Sequence, residues 1–297
     1  MRTRTSLFHR RAIQAIASAA TFMVTVGISY AGPFFFSTGN PDGLIATASR
    51  PDSAGKFEIE SADDFVLTSA TTLTSATFVG LLAGGATVGE IRLEIYRVFP
   101  KDSDVGRTSG PPTFSTAQVP TRVNSPSDVE FVDRDTADGN LTFSTSVLSG
   151  SFTANNSIQP GGIHPLPGQF TGGNGPITGE EVQFNVKFTV PIDLPADHYF
   201  LIPQVQVVEP NGNFFWLSAP RPIVPPGTPF PPGFTDLQSW TRDEFLDPDW
   251  LRVGTDITHQ GPFNATFSLT GLVPEPGTLL LMGVGMGALW WRRKRNC

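Results

Sequence analysis

Apolar and polar residues alternate along most of the chain with a period of two. The cleanest run sets Val182, Phe184, Val186, Phe188 and Val190 against Gln183, Asn185, Lys187 and Thr189. That alternation predicts a half-buried strand. Ile91, Leu93 and Ile95 alternate with Arg92, Glu94 and Tyr96, and Phe263, Ala265, Phe267 and Leu269 with Asn264, Thr266, Ser268 and Thr270. Shorter candidates lie at 57–59 leading into 64–67, 76–82, 129–132, 141–148, 199–208 and 214–217. Pro203 predicts a bulge or an edge position, because proline cannot donate to a ladder. About nine strands without an amphipathic helix predict an all-β fold, a single antiparallel β-sandwich of jelly-roll type.

Both ends break this pattern. Arg2, Arg4, Arg10 and Arg11 precede an apolar stretch at 12–28, and Ser29-Tyr30-Ala31 offers a small-x-small cleavage site. This predicts a signal peptide over 1–31, removed before Gly32. At the other end Pro274-Glu275-Pro276 precedes 277–291, which has no ionisable side chain, and Arg292, Arg293, Lys294 and Arg295 follow. Fifteen helical residues cover roughly 22 Å, short of a hydrocarbon core of about 30 Å. Trp290 and Trp291 suit the headgroup layer and the basic side chains extend the reach by snorkelling. The expectation is a transmembrane helix at 277–291 with a cytoplasmic basic stop, leaving 32–272 as the exported domain and 273–297 as a sorting signal.

Together, Pro274-Glu275-Pro276, the short glycine-rich apolar run and the terminal basic cluster resemble the PEP-CTERM sorting signal of Gram-negative bacteria. The resemblance implies recognition by exosortase, a membrane-embedded cysteine transpeptidase that cuts near the motif. It implies passage through the secretion machinery, transient anchoring in the inner membrane, and delivery to the cell surface or extracellular matrix, where exopolysaccharide is a candidate partner. The element Ala62-Asp63-Asp64-Phe65 recurs in such surface proteins and resembles the start of a galactose-binding-like sandwich. In that setting Asp63 and Asp64 would bind Ca²⁺ through oxygen ligands. Carboxylates accepting hydrogen bonds from turn amides would leave the same sequence trace.

Charge and cysteine content narrow the remaining options. Four of the 20 Lys and Arg lie in each end, and of the 27 Asp and Glu only Glu275 does, so the exported stretch carries a formal charge of −14 against −7 for the whole chain. Such a surface repels nucleic acid, which is excluded as a partner. The only cysteine is Cys297, so the exported domain has neither disulfide nor thiol nucleophile. The whole chain's 24 Phe against 3 Tyr predict a core built on phenylalanine.

Two further acidic clusters are candidates for chemistry. Asp133, Asp135 and Asp138, ending at Gly139, approximate a DxDxDG calcium loop with one residue inserted, and a β-turn at Asp138-Gly139 accounts for the same residues. The stretch 236–256 sets six acids around Trp240 and Trp250. That combination fits a glycan platform, or an acidic loop anchored by two core tryptophans. A carbohydrate-active hydrolase drawing its acid pair from 236–256 is the rival reading. His164, His198 and His259 have no metal-ligand spacing and there is no Gly-x-Ser-x-Gly elbow. The expectation is therefore not an enzyme but a structural or adhesive surface protein, needing no cofactor apart from Ca²⁺ in glycan contact.

Overall fold

Strand β4 (Thr71–Leu82) is the axis of the larger sheet, because its twelve residues take partners along both edges. The computed structural model describes residues 31–103, 122–163, 170–224 and 230–274. The expected leader up to residue 30, the membrane segment and the basic stop, with Ser29, Glu275 and Pro276, lie outside the described residues. Pro33–Pro274 forms one compact unit.

The chain is mostly β, in two sheets. In the first half lie β1 (Gly32–Ser37), β2 (Ile45–Ala48), β3 (Ile59–Leu67), β4, β5 (Val88–Arg97), β6 (Val132–Asp135), β7 (Leu141–Ala154) and β8 (Asn156–Ile158). Then follow β9 (Ile177–Leu194), β10 (Asp197–Val207), β11 (Phe215–Ala219), β12 (Trp240–Asp243), β13 (Leu251–Arg252), β14 (Asn264–Ala265) and β15 (Phe267–Val273). One edge of β4 binds β9, which in turn binds β7; the other binds β15 and then β11. The sheet continues through β1 beyond β15 and through β2 and β8 beyond β11, with β14 also on β11, making nine strands. The smaller sheet runs β13-β12-β3-β10-β5-β6. Nearly every pairing is antiparallel; β2 with β8 is parallel.

The main core draws on both sheets. Phe78, Phe184, Phe188 and Phe267 from the larger sheet join Phe65, Leu93, Tyr199 and Leu201 from the smaller one in a single buried cluster. Phenylalanine dominates it as expected, with Phe78 stacked on Phe184 at 4.8 Å between ring centres and Phe214 meeting both edge-on. Gly80 is where Phe214 approaches closest, since a Cβ there would lie 2.1 Å from that ring. A second, smaller cluster on the outer side of the six-stranded sheet holds Tyr96, Phe200, Ile202, Trp240 and Trp250. That face is half covered by the chain around 236–250, and its uncovered half is the candidate site.

Pro203 is neither at a bulge nor on an edge strand, since β10 lies between β3 and β5 with Pro203 opposite Leu93. Its missing N–H is tolerated because the ladder to β3 ends at Leu201↔Asp63, two residues earlier. Helical structure among the described residues is limited to a 3-10 turn at Pro160–Gly162 and a π turn at Val253–Ile257. None is long and apolar enough to cross a membrane.

Candidate functional site

Alternation along β3, β5 and β12 puts Glu60, then Arg92, Glu94 and Tyr96, then Arg242, on the outer face of the smaller sheet. Beyond the covered half these residues, with Glu58, Glu130, Asp133, Glu244 and Asp247, line a cleft of about 340 Å³. Arg242 organises it. Its Nε and Nη2 donate to the two carboxylate oxygens of Glu60, the latter at 3.1 Å, while Nη2 also reaches the Tyr96 hydroxyl at 3.0 Å and Nη1 reaches Asp247 at 2.7 Å. Its guanidinium lies 4.3 Å over the Trp250 ring. Fork geometry on a carboxylate and stacking on an aromatic face are what arginine, unlike lysine, supplies. These partners hold the Arg242 guanidinium above its ordinary range despite full burial.

The proton count at Tyr96 is informative. Its hydroxyl sits 2.8 Å from Glu60 Oε1 and 3.3 Å from Glu94 Oε2, and it already accepts from Arg242. A single O–H proton cannot serve both carboxylates at once, which favours a proton held on Glu94. Burial, then the charges of Glu60 and Glu58, push the Glu94 carboxyl well above the usual range, which gives the same assignment. Burial and Glu60 also push Glu58 up. Arg92 spans the group, 3.6 Å from Glu58, 3.4 Å from Glu90 and 3.7 Å from Glu94. Gln204, fully buried on β10, donates from Nε2 to Glu58 at 2.9 Å and leaves Oε1 without a hydrogen bond.

Of the acids singled out for calcium, Asp133 lies on the cleft, and the others have other surroundings. Asp63 and Asp64 are 0% and 1% exposed. Asp63 accepts from Ala265 N–H at 2.8 Å and from Ser239 Oγ at 3.1 Å; Asp64 accepts from Leu237 N–H at 3.1 Å and meets His198 Nε2 at 2.5 Å. Burial drives both carboxyls well up, Asp63 further by Asp64 and Asp64 further by Asp236. Burial holds His198 down at about 4. The 2.5 Å contact joins the Asp64 carboxyl to the His198 ring, with burial disfavouring the charged form of each. Asp135 accepts from Asp138 N–H at 2.6 Å, Gly139 N–H closes on Thr136, and Gly139 has φ +70°, so this stretch is a turn. It sits on β6, separated from β3 by β10 and β5, and the two proposed calcium elements do not converge. Among the described residues no three His, Cys, Asp or Glu are arranged to hold a metal ion.

Trp240 and Trp250 are 1% and 0% exposed, so neither offers a ring face for a sugar to stack on. Trp250 donates to the Ser127 carbonyl at 3.1 Å. Both are the core anchors of the acidic loop. The loop's acids disperse to separate partners: Asp236 to Arg221 at 3.2 Å, Asp249 to Arg122 at 2.7 Å and Asp256 to Arg252 at 2.5 Å. Asp243 accepts from the amides of Phe245 and Leu246 in its own turn. Only Glu244 and Asp247 reach the cleft. Sequence reasoning missed Glu58, Glu60, Glu94, Tyr96 and Arg242. The available signal was that polar positions of period two on neighbouring strands share a face.

Residues 272–294 match the PEP-CTERM protein-sorting motif. No curated protein and no solved structure matches the chain.

Proposed function

We propose that the protein is exported, held briefly in the inner membrane by its C-terminal segment, cut by exosortase, and left on the cell surface or in the extracellular matrix as a non-catalytic structural or adhesive component. One observation carries this. The sorting motif begins at residue 272, where the last strand β15 (Phe267–Val273) ends, so a cut near Pro274 removes the signal and leaves every strand of the body in place. The two-sheet body then works as a β-sandwich of the jelly-roll kind, meeting exopolysaccharide through the acid cleft. The carboxylates and Arg92 that line it supply acceptors and donors for sugar hydroxyls, and Ca²⁺ from solution, bridging sugar and carboxylate oxygens, would assist the contact.

The hydrolase reading has less support. Five of the six acids of 236–256 are engaged one by one with other partners, and Glu60 and Glu94 share one hydroxyl, that of Tyr96. A glycosidase pair stands about 5–5.5 Å or 6.5–9.5 Å apart to admit the substrate or a water.

The test follows the chain in an exosortase-bearing host. Pro274→Ala should accumulate as an uncut, membrane-bound form while the natural sequence is processed. Unchanged processing and unchanged location of Pro274→Ala would sink the sorting assignment. For the body, retention on matrix polysaccharide with calcium and then with chelator, repeated with Glu58→Gln, decides whether the cleft makes the contact.

A further inference from the structure

The edges of the two sheets are not equally protected. In the smaller sheet they are β13, two residues long, and β6, four residues carrying Asp133, Arg134 and Asp135. In the larger sheet β8 has three residues and β1 has six, including Pro33. Short length, charge and proline are the devices by which sheets avoid pairing with other chains. The remaining edge, β7, has none of them. It is fourteen residues long, Leu-Thr-Phe-Ser-Thr-Ser-Val-Leu-Ser-Gly-Ser-Phe-Thr-Ala, without an ionisable side chain or a proline. Its pairing is with β9, and among the described residues no strand lies on its other side.

Register shifts interrupt β7 after Val147, so the regular part is Leu141–Val147, paired without interruption from Leu141↔Phe188 to Val147↔Val182. Along it every second residue turns both backbone groups away from β9. Leu141 is buried and Phe143 packs on the main core, but Thr145 and Val147, next on that same face, stand in solvent, Val147 at 59% exposure. The inner face of the edge strand therefore overhangs its own core.

We propose that β7 is a self-association edge, at which two copies join their larger sheets antiparallel through Phe143–Val147, centred on Thr145. Three features select a second copy as the occupant. The exported body carries a formal charge of −14, so two copies repel wherever their acids approach, and this strand is a stretch without charge. The strand is complementary to itself when antiparallel: Phe143 falls opposite the second copy's Val147 and Thr145 opposite the second copy's Thr145, an aromatic–β-branched pair and a Thr–Thr pair of the stabilising kinds. A two-fold contact of one patch with itself also closes, giving a dimer rather than a fibre. This inference rests on the sorting reading only for the removal of the two basic ends, which sets the charge of the body.

The test uses the exported body, which has its own core, in sedimentation velocity from about 1 to 200 µM. A reversible dimer is expected. Thr145→Lys puts like charges opposite one another and should weaken the dimer by at least about tenfold with little change in Tm. Because the body has no cysteine of its own, Thr145→Cys gives an independent reading. Residues facing one another across the two-fold have Cβ atoms about 4.5–5.5 Å apart, a small adjustment from disulfide geometry. Oxidation should yield covalent dimer from Thr145→Cys and not from Ser151→Cys, which lies beyond the bulges. A body that stays monomeric over the whole range overturns the proposal. So does a dimer that Thr145→Lys leaves equally tight and Thr145→Cys fails to trap, since it would use another surface.

Discussion

Strand β3 carries two acidic sites three residues apart, and they are built differently. Asp63 and Asp64 are sealed by chain segments at least 134 residues away in sequence, which offer Ala265 N–H, Leu237 N–H, Ser239 O–H and the His198 ring. Glu60 is instead held by a guanidinium and a phenol, and borders an open cleft. Backbone donors fixed by strand geometry make an acid part of the fold; side-chain partners at a cleft leave it open to exchange with a ligand. The difference lies in who supplies the hydrogen bonds, and an acidic dipeptide beside a strand does not reveal that.

The comparison breaks most visibly at Arg242. Its removal leaves Glu60 buried beside Glu94 and Glu58 without its counter-charge, and uncovers the Trp250 ring. Arg242→Ala should cost about 3–5 kcal/mol in urea denaturation, as expected for one partner removed from a buried pair. Adding Glu60→Gln should recover part of that loss, because the stranded charge goes with it. A double variant no more stable than Arg242→Ala would mean that packing on Trp250, and not the ion pair, carries the effect.

The sealed site should come second. Asp63→Ala takes the acceptor from two buried donors, Ala265 N–H and Ser239 O–H, each costing about 1–3 kcal/mol when left unpaired. A loss of about 2–4 kcal/mol is expected, against less than about 0.5 kcal/mol for Asp133→Ala at the exposed edge. Equal effects of the two variants on the urea midpoint would erase the distinction between sealed and open acids.

What could be read in advance follows from how far apart the determinants lie. Strand β9 was legible because its alternation survives half burial, Val182 to Phe188 inward and Gln183 to Lys187 outward. Strands β2 and β12 were missed because every residue is buried on both faces, Ile45–Ala48 by neighbouring layers and Trp240–Asp243 by its own loop, which erases the period-two signal. The same loop hid the cleft. Arg92, Glu94 and Tyr96 read correctly as the outward positions of a strand, but the outward side is solvent only until Arg242, 182 residues from Glu60, arrives over it. Local pattern carries the face a residue points to, and tertiary structure decides what meets it there. The turn at Asp138-Gly139 was legible for the opposite reason, its bonds closing within four residues.

The smallest effect sharpens the comparison by pH. Glu94 has its carboxyl raised, chiefly by burial and then by Glu60 and Glu58. A raised value means that the folded chain binds this proton more tightly than the unfolded one. Its stabilisation is complete below the ordinary carboxylate range and is lost as pH rises through the folded value. Glu58, Asp63 and Asp64 act in the same direction. His198, held at about 4 against 6.5, acts in the opposite direction, losing stability as pH falls between those two values. Above about pH 6.5 the carboxyl contribution is therefore seen free of the histidine. Glutamine mimics the neutral carboxyl and keeps a donor for Tyr96. Glu94→Gln should lie within about 1 kcal/mol of the natural protein near pH 6.5, and its stability should fall less steeply toward about pH 8.5. Urea midpoints at the two pH values measure this. Parallel losses in variant and natural protein would mean that Glu94 does not hold its proton in the fold, and that the cleft is charged throughout.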